Sequence, residues 1–583
     1  MKTIDRDVLI VGAGPTGLAC AALLARGGAS VEAITRYRGL ANSPRAHIIN
    51  QRTMEVFRDL GIEDRVAAAA MPPGLMGQVI WAESLAGAEI ARRRGWGADR
   101  RTDYEAASPC PVTNIPQHVL EPILCDAARD LGATVTLGRE LVSMTQDAEG
   151  VVSLCRDRDT GEELLVRSRY AIGADGDNST VCRELGFELE GESGLAHMLN
   201  DWFTADLAPY VAHRPGALYQ VFRPGGEHVV DNAVFVNVRP WTEWVMSVPY
   251  DPREGMPSPE ADAVRNRVRH YVGDNNLEVT PISTSTWTVN QMHAERMHSG
   301  RVVIAGNAAH RHPPAGGLGA NTCVQDAFNL AWKLELLLAG VADEGILTTY
   351  TAERAPVARQ IVDRANASLG GLMAIPDAVG LRPGMSAHDG EAQFHRRFEN
   401  TDEGRQIRDR LEAAVEMQDD NFNALGVELG QFYRSDAITP DSDADARTAH
   451  SDRHYAPSTA PGSPLPHAWL TRGTQSVSSL DLVGRGQFTV LIGIGGHIWR
   501  AAAVALADEL GLSIRVVSIG PGCDVDDPYS QWRSLSEIDD AGCLVVRPDR
   551  FVAYRSRSGA DDPSSTLRGA LQAAVCAPVA SRV

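Results

Sequence analysis

No stretch of this chain approaches the ~20 consecutive apolar residues that a membrane span needs, and none of its nine cysteines sits in a CxxC pair or at the spacing of a small disulfide scaffold. The first absence excludes a spanning helix. The second suits reduced thiols, and a cytoplasmic location is expected. Positive charge is also short, with Lys+Arg 55 against Asp+Glu 75 and a formal net charge of -20. A polyanionic backbone would be repelled by that balance, so nucleic acid is not an expected partner; with no spanning run, neither is a membrane. HExxH is missing too, His293 and His298 are five apart, and no metal site is expected. There is no internal repeat and no low-complexity tract. Lys2 before an apolar stretch mimics a signal peptide, but Asp5, Arg6 and Asp7 interrupt it and Gly12, Gly14 and Pro15 break its helical core. A buried strand running into a turn is the better reading.

What is present is α/β patterning on the scale of roughly three or four domains. Asp7 to Val11 is an apolar strand entering Gly12-Ala13-Gly14-Pro15-Thr16-Gly17, followed by a helix from Leu18 to Arg26 and a second strand from Ser30 to Thr35. This βαβ unit brings backbone close to a pyrophosphate at a helix N-terminus, so a dinucleotide is expected there. The acidic residue that usually closes the second strand is absent. Thr35 holds its place, with Arg36 beside it, and Glu32 comes too early. Arg169 to Gly173 and Arg301 to Ala305 read as further buried strands. The Trp- and Val-rich stretch from about Leu195 to Trp287 reads as an antiparallel sheet. Residues 348–429 look helical, Ser435 to Pro466 reads as a linker or irregular crossing, and Gln487 to Ile519 repeats a strand–helix–strand pattern.

Three segments carry a family resemblance. Gly12 to Gly17, Tyr170 to Ser179 around Asp175-Gly176, and Arg301 to His310 resemble, in order, the three fingerprints of the single-component (class A) FAD-dependent aromatic hydroxylases. Leu40 to Arg52 and His312 to Asn321 are similar to its phenol hydroxylase branch. The resemblance implies a Rossmann-like FAD-binding domain (1–75, 111–195 and 286–375) with an inserted antiparallel-sheet substrate domain (76–110 and 196–285). A helical segment and linker (376–455) and a thioredoxin-like domain without CxxC (456–583) complete the expected architecture. The last is read as a packing or oligomer-forming module, so a homo-oligomer is expected.

The implied reaction is NAD(P)H-dependent hydroxylation of a phenolic ring, ortho to an existing hydroxyl, by O2 through a flavin C4a-hydroperoxide. The ring in question is a simple phenol or a larger phenol, hydroxypyridine or polyketide; a flavin-binding carrier without turnover is the alternative of another class. By the same resemblance His47 is the catalytic base. Gln117 touches FAD, and Pro314 lies against the flavin ring and the substrate. Arg45, whose guanidinium fork suits phosphate and the flavin edge, is the expected flavin or nicotinamide contact; Asn114, just before Gln117, and Trp287, in the aromatic-rich sheet, are expected to face the substrate. Gly317, Leu318, Gly319, Ala320 and Asn321 form the loop whose N–H groups stabilise charge on the flavin. Gly306 and Asn307 stand where the family usually has Gly-Asp. That exchange, with Thr35, leads to the expectation of loosely held FAD. No second nucleotide-binding βαβ unit is visible, so NADPH or NADH is expected to bind transiently in a groove.

Overall fold

The computed structural model describes residues 2–224, 230–441 and 451–576. The tract 442–450 of the expected linker and the last residues of the expected C-terminal domain, 577–583, lie outside them. The first sheet is built on five parallel strands. Thr134–Leu137, Val31–Thr35, Lys2–Val11, Glu163–Gly173 and Val302–Ile304 lie side by side, each parallel to its neighbour. The strand Lys2–Val11 is apolar only at its inner end, where Val8 to Val11 are buried. Helix α1 (Pro15–Arg26) starts three residues before the sequence pattern suggested. Pro15 takes its first position, where a fixed φ suits the helix and a missing N–H costs nothing. Gly12 precedes it with φ 115°, and a Cβ there would meet Ala174 O at 2.0 Å, so only glycine fits between the first two fingerprints.

Helix α2 (Gln51–Leu60) is capped by Asn50, whose side chain accepts from Thr53 N. Helix α3 (Gln117–Asp130) packs on α1, as does the long helix α4 (Gly319–Leu338), which is followed by α5 (Ile346–Leu372). Among the described residues no helix is long and apolar enough to cross a membrane.

A second sheet of eight strands stands beside the first. It is antiparallel except where Leu218–Arg223 runs parallel to Gln78–Ala82. Its long strands, Glu190–Thr204 and Thr280–His293, reach back to the nucleotide-binding sheet, and His310–Arg311 adds to its edge. The third fingerprint is thereby tied to both sheets. Shorter helices between 374 and 429 cover an apolar cluster formed by Ile48, Met71, Met76, Trp96, Ile375 and Phe422.

The C-terminal region is a four-stranded sheet in the order Ile514–Ser518, Phe488–Ile492, Cys543–Val546, Val552–Ser556. The first pair is parallel and the rest antiparallel, with helices His497–Leu510 and Pro563–Ala574 packed together. It is no loose appendage. Phe488, Trp499 and Leu567 share one core with the nucleotide-binding sheet, and Trp332 of α4 meets Phe488 edge to face at 5.8 Å. The described part of the crossing that leads into it is packed against the sheet. Residues 458–468 are buried, and Gly462 and Leu465 bond backbone to backbone with Val552 and Arg550. All nine cysteines are free thiols.

Candidate active site

Two short strands, Ile48–Ile49 and Thr113–Asn114, pair antiparallel, and Ile115 N donates to His47 O at 2.7 Å. This pairing sets His47 beside Asn114. His47 Nδ1 lies 3.1 Å from Asn114 Oδ1, and Asn114 Nδ2 faces Met71 Sδ at 3.7 Å. An oxygen acceptor opposite Nδ1 makes that nitrogen the protonated one and leaves the Nε2 lone pair free. Desolvation pushes the His47 pKa down to about 4, partly opposed by the Asn114 bond. The imidazole is therefore neutral at pH 7. Asn114 itself is fully buried, so its side chain orients His47 instead of lining an open surface.

The three fingerprints converge. Ala174 O packs on Gly12, and a Cβ on Gly306, where φ is 61°, would meet Thr16 Oγ1 at 2.2 Å. Asn307 stands exposed between buried neighbours, and its Nδ2 donates to Asp177 Oδ1 at 2.9 Å. Asp175 is already occupied. Its carboxylate takes Ser179 Oγ and Thr180 N, both at 2.6 Å, at the start of helix Thr180–Leu185. A Ser-Thr pair just after Asp-Gly-Asp-Asn is a helix-start signal, and it marks this capping role in the sequence.

The helix ends facing this convergence are bare. Neither α1, entered from Gly14, nor α4, entered from Leu318, has a capping side chain or an acid in its first turn. Their first N–H groups are thus open to an anion, whereas α2 and the helix at Thr180 are closed by caps. Leu318 packs into an apolar cluster with Val357 and Ile361. Pro314 is exposed, and Gly317, Gly319 and Ala320 are half-buried. Asn321 is fully engaged: its Oδ1 accepts from Asn50 N at 2.9 Å, and its Nδ2 donates to Ile48 O and Gly317 O at 2.9 and 2.7 Å. It clamps the loop to the His47 strand.

Thr35 and Arg36 lie at the open end of the second strand, where Thr35 Oγ1 accepts from Tyr37 N at 3.4 Å. Glu32 is sequestered, buried against Arg139 and Arg6. Arg45 is exposed, and Gln117 Nε2 donates to Glu121 Oε1 at 2.6 Å. Glu121 is the acid that the sequence reading passed over. It is buried, sits 3.9 Å from a Cβ built on Gly14, and burial raises its pKa. The Gln117–Glu121 spacing on one helix face was its only signal. Trp287 stays half-buried on the large sheet with its Nε1 bonded to Asn200 Oδ1 at 2.9 Å. Trp244 and Phe203 are core residues. Away from this cleft, ligand atoms of Glu190, His293 and Glu295 lie within 4.8 Å of one another, the two acids at the exposed surface.

A bare pair of helix ends, a glycine turn with no room for a Cβ and a neutral histidine beside an apolar cluster suit a dinucleotide and an apolar ring. Comparison with known proteins agrees. Residues 5–365 match the FAD binding domain model, and residues 458–578 match the aromatic-ring hydroxylase C-terminal model. A 2,4-dichlorophenol 6-monooxygenase from Cupriavidus pinatubonensis is 44% identical over 98% of this chain and 96% of its own length. A phenol 2-monooxygenase from a Pseudomonas species is 40% identical over 97% and 92%. The crystal structure of the flavin-dependent monooxygenase PieE, in complex with FAD and substrate, superposes with a TM-score of 0.95 at 43% identity, covering 99% of this chain and all of that one.

Proposed function

Because the chain belongs to the FAD-dependent aromatic-ring hydroxylases, we propose that it hydroxylates a simple phenol ortho to its hydroxyl, taking electrons from NAD(P)H and oxygen from O2. The observation that carries this reading is the His47–Asn114 pair, a neutral imidazole with its Nε2 free beside the apolar cluster around Ile48 and Trp96. Similarity to enzymes named for phenol and dichlorophenol supports the small substrate.

FAD, when bound, carries electrons from the nicotinamide and supplies the activated oxygen. Around it this chain's residues hold and orient. The open N–H groups of α1 and the Gly12–Gly14 turn would take the pyrophosphate. Thr35 and Arg36 would meet the adenosine end, and Arg45 and Gln117 would flank the cleft. The Gly317–Ala320 backbone and the start of α4 would favour negative charge at the flavin pyrimidine edge. Pro314 would lie against the ring system.

A base with a pKa of about 4 is too weak to hold a proton taken from a resting phenol, whose pKa is about 10. It would be strong enough during oxygen transfer, when loss of electron density from the ring makes the phenolic O–H a far stronger acid. His47 Nε2 would accept a hydrogen bond from the phenol and take up its proton during oxygen transfer. The Asn114 acceptor holds Nδ1–H throughout. The role of His47 is then to remove the proton during oxygen transfer, not to make phenolate beforehand.

The test is a panel of substituted phenols with 18O2, following NAD(P)H consumption and labelled catechol together. One labelled oxygen per catechol is expected. Nicotinamide oxidation with no label entering any ring would refute the reading.

A further inference from the structure

The buried polar groups behind the cleft form one connected chain that the reaction described above does not use. It starts at the third fingerprint, where Gly306 N donates to Asp326 Oδ2 at 2.9 Å and His310 Nε2 lies 2.8 Å from the same oxygen. Arg354 Nε donates to the other oxygen of Asp326 at 2.7 Å. Arg354 Nη1 then reaches Gln431 Oε1 at 2.9 Å and Tyr433 Oη at 3.0 Å. From Gln431 the chain turns back: Nε2 donates to Gln325 Oε1 at 2.6 Å, and Gln325 Nε2 donates to Thr53 Oγ1 at 3.4 Å. Thr53 and Asn50 meet at the cap of α2, Asn50 N donates to Asn321, and Asn321 grips Ile48 O and Gly317 O. Asp326, Arg354, Thr53, Asn50 and Asn321 are all at most 2% exposed. The C-terminal region closes the back. Phe551 stacks on Tyr433 at 3.8 Å, and Asp549 O accepts from Arg52 of α2 at 2.9 Å.

We propose that Arg354 and the segment it grips, Gln431 to Tyr433, are positioning residues for the reaction: through this chain they fix the Gly306–His310 turn relative to the His47–Asn50 strand. Those two segments come from distant parts of the sequence, and one holds cofactor while the other carries the base. A buried guanidinium has donors in a planar fork, so it sets direction as well as distance. Misplacement by about 1 Å costs roughly 100-fold in a reaction that depends on alignment. The C-terminal part of the chain therefore contributes to how well oxygen reaches the ring while touching neither.

This rests on the proposed reaction only for one of its readouts. The variants are Gln431→Met, which cuts the chain at its turn, and Tyr433→Phe, which removes one bond to Arg354 and keeps the stack on Phe551. Arg58→Gln is the control, because it breaks the Arg58–Asp481 contact (2.7 Å) that joins α2 to the C-terminal region away from the chain. Each protein is loaded with FAD and compared by FAD Kd from fluorescence, the visible spectrum of the bound flavin, melting temperature, and product formed per NAD(P)H oxidised. Gln431→Met is expected to raise FAD Kd by about threefold or more, shift the flavin spectrum and divert more than about half of the electrons to peroxide. Tyr433→Phe is expected to move the same readouts less, and the control to move melting temperature alone. Wild-type Kd and spectrum in Gln431→Met, or equal shifts in the control, would overturn the proposal. Both outcomes are readable even if no phenol is turned over.

Discussion

Around the nucleotide cleft α1 and α4 begin without caps, and Arg45, Asn307 and Pro314 stand exposed. At the seam between α4, α5 and the C-terminal sheet, the charges are instead closed on one another. Glu353 takes Lys333 Nζ at 2.8 Å, Asn329 at 2.7 Å, Ser435 at 2.6 Å and both terminal nitrogens of Arg547 at 2.6 and 2.8 Å. Arg547 also holds Asp549, and Arg550 holds Asp59. Both regions are rich in polar groups, yet at the seam the charged ends are paired within the chain and the donors left over, Arg550 Nε and Trp332 Nε1, are buried, whereas the first N–H groups of α1 and α4 face the cleft. A donor left open in a folded chain costs free energy unless something from outside completes it. The contrast therefore separates groups kept for a ligand from groups kept for the scaffold.

The strongest way to break the contrast is to open the closed seam. Arg547→Met leaves Glu353 and Asp549 buried and short of a guanidinium, and the stability loss expected from such a half-broken pair is about 3–5 kcal/mol. Urea unfolding followed by tryptophan fluorescence measures it. A loss below about 1 kcal/mol would mean that water reaches these carboxylates and that the seam is not closed. The pair also tunes itself: burial lowers the Lys333 pKa to about 8 although Glu353 opposes the shift, while Arg547 and Lys333 hold Glu353 well below the usual carboxylate range.

On the open side, His47→Ala should lower kcat by about 100-fold and leave the FAD content of the purified protein unchanged. The pH profile sharpens this. Protonated His47 cannot accept the phenol proton, and its pKa lies near 4, so kcat/KM should stay flat down to about pH 5 and fall through about pH 4. A limb near 6.5 would show that His47 is solvated as an ordinary histidine, and a flat profile in His47→Ala would be required alongside.

The two regions also differed in how far the sequence announced them. The open side carried local patterns in the sequence: a glycine turn after a strand, a proline-glycine loop before a helix, one histidine in a family segment. That the first two strands of the first sheet lie parallel followed from the βαβ unit. The closed side left no such trace. Glu353 and Arg547 lie far apart in sequence, and nothing within a helical turn of either marks it as buried. The same holds for Asp326 and Arg354. The helix-start role of Asp175, which accepts from Ser179 Oγ and Thr180 N, was legible only in the Ser-Thr pair that follows it.

Asn307 tests the boundary between the regions, because it is exposed to the cleft and yet bonded to Asp177. From the sequence it looked like a lost carboxylate, and FAD was expected to be held loosely for want of it. In the folded chain a carboxylate is present 2.9 Å away, on the neighbouring fingerprint, and the amide of Asn307 donates to it. Cys323 Sγ donates to the amide's oxygen at 3.5 Å, which fixes which end faces Asp177. Asn307→Asp would restore the family's usual residue but set two carboxylates against each other in a cleft that must also accept a pyrophosphate. Like charges at that separation repel, so FAD Kd should rise by about tenfold. Adding Asp177→Asn to the same protein removes the clash while keeping one carboxylate, and Kd should return to within about threefold of the starting value. Fluorescence titration of the apoprotein gives both numbers. Tighter FAD binding in Asn307→Asp alone would mean that the pair plays no part in the site and that the missing carboxylate was a true loss.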